Sequence, residues 1–159
     1  MNFDNQKTTI RIYLWKMALA IFFAIAIVFF LGSKWFNKPF LGLERTHLVV
    51  IAACLYLLIV IFIFILDLNY FYFNDDTDRI ILRYYPIRPF GKKKRAIEIS
   101  KIALAKYNIK KSFLGLKKSL VLYQKFKKKV AKYPPIGITS LTKAEREMLE
   151  KQLNKYIRP

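Results

Sequence analysis

Two uncharged apolar runs constrain this chain more than any other feature: Met17 to Leu31 (MALAIFFAIAIVFFL) and Leu48 to Leu66 (LVVIAACLYLLIVIFIFIL). A hydrocarbon layer roughly 30 Å thick is crossed by about 20 helical residues at about 1.5 Å each, so the second run reaches across unaided. The first run is shorter and is extended by Ile12, Tyr13, Leu14 and Trp15, while Lys16 lays its methylene stem along the helix and sends its ammonium to the headgroups. Tyr13, Trp15 and Lys16 at one end and Trp35 at the other are the expected membrane-interface anchors. The sequence therefore predicts a two-helix transmembrane hairpin, with spans at about 12–31 and 48–66 inside an N-terminal segment 1–68. A cleaved signal peptide would need small residues at the first and third positions before the cut, and Phe30-Leu31-Gly32-Ser33 puts bulky ones there.

The remainder, 69–159, is long enough for one small domain with a modest core. Its charge is lopsided: 23 Lys and Arg stand against 7 Asp and Glu from Tyr70 to Pro159, a net of +16 out of +19 for the whole chain. A cationic domain tethered to a bilayer already lies beside a polyanion, so anionic membrane lipid is the first expected partner. Lys7, Arg11 and Lys16 before the first span and Arg79 and Arg83 after the second outnumber Lys34, Lys38 and Arg45 between the spans. That bias predicts a multi-pass protein of the cytoplasmic (inner) membrane with both termini in the cytoplasm.

Nothing in the residues points to catalysis, a metal or a cofactor. Cys54 is the single cysteine and lies inside the second span, where an apolar packing role is expected. His47 is the single histidine, with no ligand cluster beside it, and the five glycines are too scattered for a phosphate loop. Asp75, Asp76 and Asp78 lack the glycine and distal glutamate of a calcium loop and read as turn formers.

Beyond Asn69 the apolar pattern shortens to period two. Tyr70 to Phe73 and Arg79 to Tyr85 read as a hairpin with Ile80, Leu82 and Tyr84 on one face. Lys94 to Ser100 follows, with Ile97 and Ile99 inward, then Ile102 to Ser112 with Leu104, Tyr107 and Ile109 inward. Phe113 to Leu116 reads as a turn, followed by Lys118 to Phe126 with Leu120, Leu122, Gln124 and Phe126 in register. Val130 to Tyr133 and Ile136 to Ile138 complete the strands. Thr142 with Glu145 is a capping box, and Leu141, Ala144, Met148, Leu149, Leu153 and Tyr156 or Ile157 form the apolar stripe of a closing helix. Glu147 precedes Lys151 by four residues, the favourable order for a surface pair.

Six or seven short antiparallel strands and one amphipathic helix, after a transmembrane hairpin, resemble the bacterial membrane proteins with a pleckstrin-homology-like (PH-like) domain. The stretches that carry the resemblance are IILRYYP at 80–86, AIEISKI at 96–102, YNIKKSFLGLKKSLVLY at 107–123 and PPIGITSLTKAEREMLEKQL at 134–153. The resemblance implies an α+β fold, a curved antiparallel barrel of six or seven strands capped at one end by the C-terminal helix. It carries no ligand with it, because fold alone does not specify function.

The basic clusters are the strongest functional feature outside the spans. Lys92, Lys93, Lys94 and Arg95, then Lys110 and Lys111, Lys117 and Lys118, and Lys127, Lys128 and Lys129 each fall at or beside a turn. They are expected to gather on one rim and face anionic headgroups, each cation contributing about 1 kcal/mol near the surface. The function expected is a non-enzymatic membrane-anchored binding or scaffold module, an accessory subunit of a bacterial envelope complex that meets a membrane-protein partner through the hairpin, the barrel, or both. The alternative is a membrane-tethered nucleic-acid or ribosome binder, favoured by charge but short of aromatics interleaved with the lysines.

Overall fold

A computed structural model describes residues 2–33, 43–88, 93–127 and 129–157 of the chain. They fall into two compact units, one made of Met1–Ile10 with Leu66–Pro159 and the other of Arg11–Ile65.

The second unit holds α2 (Arg45–Ile65) and, from Arg11 on, α1 (Gln6–Gly32), both helices long and apolar enough to cross a membrane. Each begins before the apolar run predicted for it, since helix propagation into the polar flank adds one backbone hydrogen bond per residue fixed. Phe23 is the buried residue of α1, with its ring 5.3 Å from that of Tyr56, and α2 buries no residue. The Arg45 guanidinium donates to the Ser33 carbonyl at 3.0 Å.

In the first unit, β1 (Asn2–Asp4), β2 (Asn69–Asn74), β3 (Arg79–Pro86) and β4 (Arg95–Ser100) form an antiparallel sheet in that order. The alternation in NYFYFN sends Phe71 and Phe73 inward and Tyr70 and Tyr72 outward. In β3 the same period buries Ile80, Leu82 and Tyr84, and in β4 it buries Ile97 and Ile99. The second sheet contains β5 (Leu104–Ser112), β6 (Lys117–Phe126) and β7 (Lys129–Lys132), with β8 (Ile136–Gly137) also paired to β6. A bulge between Leu104 and Lys106 shifts the phase, so that Leu104, Tyr107 and Ile109 all meet the core.

One apolar core joins the two sheets to α3 (Lys143–Tyr156). Phe71, Phe73, Ile80, Leu82, Leu120, Leu122, Ile136, Leu149 and Leu153 are all fully buried in it. The capping box forms in full: Glu145 N donates to Thr142 Oγ1 at 3.2 Å, and Thr142 N donates to Glu145 Oε2 at 2.7 Å. The buried stripe is narrower than predicted, because Ala144 and Met148 are exposed. The acidic residue of the surface pair also reaches backwards, with Glu147 bonded to Lys143 at 3.8 Å.

The strands make two sheets, and among the described residues no barrel closes. The reason lies between β4 and β5, where a 3-10 turn at Lys101–Ala103 redirects the chain before the two strands can pair. That turn is held by Lys101 N donating to the Asp78 carbonyl at 3.0 Å.

A further departure concerns residues 1–10, which the sequence pattern assigns to the hairpin segment. Asn2, Phe3 and Asp4 pair with Asn74, Phe73 and Tyr72, adding an edge strand before the hairpin to a sheet otherwise made after it. Phe3 drives this, packing its ring 5.5 Å from Phe73 and 6.4 Å from Phe71.

Candidate functional site

Where the chain enters α1 and where it returns from α2, the first unit is clasped by one buried asparagine. Asn5 is 1% exposed and uses every hydrogen-bonding position of its side chain. Its Nδ2 donates to the Asn69 carbonyl at 3.1 Å and to Ser140 Oγ at 3.0 Å. Its Oδ1 accepts from Phe71 N at 2.8 Å and from Thr9 Oγ1 at 3.2 Å. Ser140 Oγ donates in turn to the Asn69 carbonyl, and Asn69 Nδ2 donates to the carbonyls of Asp67 at 2.8 Å and Gly137 at 3.2 Å. Gly137 has to be glycine here, since a Cβ would collide with the Asn69 amide and the Asp67 carbonyl. Residues 5, 67–69 and 137–140 thus form one polar knot, which defines the attachment end of the unit.

On the outer face of the first sheet the register sets Tyr70 opposite Tyr85 and Tyr72 opposite Arg83. With Tyr84, Lys94, Arg95 and Ala96 these line a groove of about 660 Å³. The Tyr70 and Tyr85 rings stack at 4.7 Å, and the Arg83 guanidinium lies 6.0 Å from the centre of the Tyr72 ring. Tyr70 donates its hydroxyl to Asp4 Oδ2 at 3.2 Å, and burial, then the Asp4 carboxylate, push the phenol up to about 12. The groove therefore offers aromatic faces and cations, and the Asp4 carboxylate beside it is engaged by Tyr70 at 3.2 Å and by the Gln6 backbone N–H at 3.1 Å.

The basic clusters do not share one rim. Lys93, Lys94 and Arg95 are exposed at the start of β4, beside Tyr84 and Tyr85 and so near the attachment end. Lys110 and Lys111 close β5 and Lys117 and Lys118 open β6, also at the attachment end, because Lys118 N donates to Thr139 Oγ1 at 3.0 Å and Ser119 pairs with Gly137. Lys127 and Lys129 lie past Phe126, at the other end of β6. Lys92, Lys128 and the anchor Trp35 lie outside the described residues. Tyr13 and Trp15 are exposed on α1, and Lys16 beside them is half-buried.

The tyrosine groove and the Asn5 clasp are the features that reading the sequence misses. The outward Tyr70, Tyr72, Arg83 and Tyr85 were visible as the second face of two alternating strands, and the signal to use was their polarity. Among the described residues, no group of three or more His, Cys, Asp or Glu could hold a metal. In comparisons with protein-family models, curated proteins and solved structures, nothing matches this chain.

Proposed function

We propose that the chain is a non-enzymatic, membrane-anchored binding module whose two helices both span the bilayer and whose soluble unit, PH-like in its order of two sheets and a helix, sits on the cytoplasmic side. In this reading it serves as an accessory subunit of an envelope complex, with its basic attachment end toward anionic lipid. The observation that carries it is the clasp: residues before the hairpin and after it are built into one soluble unit, so both ends of the hairpin belong on the same side. Helices of this length and exposed apolarity, one of them burying nothing, complete the reading, since lipid tails are the solvent that suits them.

The test is purification of the full chain from its native membranes in mild detergent, with co-purifying proteins and lipids quantified. The expected result is a membrane protein in fixed ratio and enrichment of anionic lipid over the bulk membrane. A chain that comes away alone, with lipid in bulk proportion, contradicts the proposal.

The tyrosine groove favours one second reading, a tethered binder of single-stranded nucleic acid, because stacked tyrosines beside Arg83, Lys94 and Arg95 are the elements of a base-stacking platform. Co-purified nucleic acid released with a steep dependence on salt would move that reading ahead.

A further inference from the structure

Three observations meet at the turn between β5 and β6. The first is apolar exposure: Leu114 is 99% exposed, and Phe113 and Leu116 beside it are about half-exposed. The second is backbone: Phe113, Leu114 and Gly115 all have positive φ, 54°, 55° and 82°, a conformation that the two larger residues adopt only against steric cost. The third is charge: Lys110, Lys111, Lys117 and Lys118 collar the tip, with Lys111 set directly opposite Lys118. Burial, then the charges of Arg146 and Lys111, hold the Lys118 ammonium below its ordinary range. In water, an apolar tip inside a ring of like charges is unfavourable on each count.

The tip also has a defined place. Ile138 N donates to the Lys118 carbonyl at 2.9 Å, Gly137 pairs with Ser119, and the Gly137 carbonyl accepts from Asn69. The tip therefore projects from the attachment end, where Asn5 leads into one apolar helix and Asn69 follows the other. Ile102, 86% exposed, provides a contrast. It adjoins Lys101, which is bonded to Asp78 in the turn at the far end of β2 and β3.

Resting on the reading that α1 and α2 span a bilayer, we infer that this tip enters the headgroup layer of the same membrane, with Leu114 leading and the lysine collar on lipid phosphates. An anionic bilayer is the one surface that rewards both parts, taking the leucine into its acyl boundary and the lysines against its charge. The lipid-borne phosphate is the source, since the apolar tip has no use for a free phosphate ion.

The test uses the full chain with Cys54→Ala and a single cysteine, Leu114→Cys or Ile102→Cys, carrying an environment-sensitive fluorophore. The proteins are reconstituted into phosphatidylcholine vesicles with or without phosphatidylglycerol. A label at 114 should shift to the blue and be quenched by lipids with brominated acyl chains in the anionic vesicles, while a label at 102 keeps its water-like emission. Changing Lys110, Lys111, Lys117 and Lys118 to glutamine, or adding salt, should return the 114 label toward water-like emission. Tryptophan emission from Trp15 and Trp35 in the same samples reports the anchor. Tryptophan quenched by brominated lipid with a water-like label at 114 overturns the inference and leaves the anchor standing. Tryptophan and label both unquenched overturn the two together. A 114 label that is blue-shifted but unquenched also overturns the inference, because the tip then rests on protein, either a partner or a second copy.

Discussion

Phe64 and Phe71 stand seven positions apart and meet opposite surroundings: Phe64 is 61% exposed on α2, whereas Phe71 is fully buried between two sheets and a helix. Chemically identical side chains have been dealt with in two ways. The first unit covers its own apolar surface, and α1 and α2 leave much of theirs exposed. Folding of the first is driven by its own core, while the exposed faces of the two helices suit apolar surroundings.

The largest difference between the two regions is expected at leucine. Leu149→Ala should destabilise the first unit by about 2 to 5 kcal/mol, because it opens a cavity in a fully packed core. Leu58→Ala, at a position 63% exposed on α2, should leave that unfolding transition within about 0.5 kcal/mol of its starting value. Denaturant unfolding of the detergent-solubilised full chain, followed by protease resistance of the first unit, separates the two. Equal losses would mean that α2 is part of that unit's core.

A smaller effect is expected where the two regions are stitched together. Asn5→Ala removes the partner of Phe71 N and of Ser140 and should cost about 1 to 3 kcal/mol for the buried groups left unpaired. Hydrogen exchange should show the loss at Phe71 and along β1, with α3 unaffected. Exchange unchanged at Phe71 would show that the clasp does not hold the edge strand.

Smallest is the helix cap. Thr142→Ala deletes one half of the capping box and should cost about 1 kcal/mol, read in the same unfolding transition. A loss several times larger would mean that α3 closes the core less by Leu149 and Leu153 than by its first turn.

Much of this division was legible in the residues, and what was missed has a physical pattern. Long uncharged runs announce the two helices, period two announces β2, β3 and β4, and Thr142 with Glu145 announces the start of α3. Each of these is a local signal. The edge strand β1 is three residues with a single apolar side chain, Phe3, too short for any period to show. Whether the strands close one barrel or split into two sheets turns on the 3-10 turn at Lys101–Ala103, whose backbone bond to Asp78 crosses 23 residues and leaves no mark in composition. The lysine clusters were found by counting, but their division between the ends of β6 depends on register, as does the groove that sets Tyr72 against Arg83. Pairing partners distant in sequence decided what the linear pattern could not.

Under the proposed function, α1 leaves and α2 re-enters one compact unit on a single side of a membrane. Single cysteines at Asn2, Glu44 and Thr77, all exposed positions, in a Cys54→Ala background test it directly. With an impermeant thiol reagent applied outside intact cells, position 44 should label, while positions 2 and 77 stay silent until the membrane is opened. Labelling that differs between positions 2 and 77 would contradict the account, because residues bonded into one sheet cannot lie on opposite sides of a bilayer.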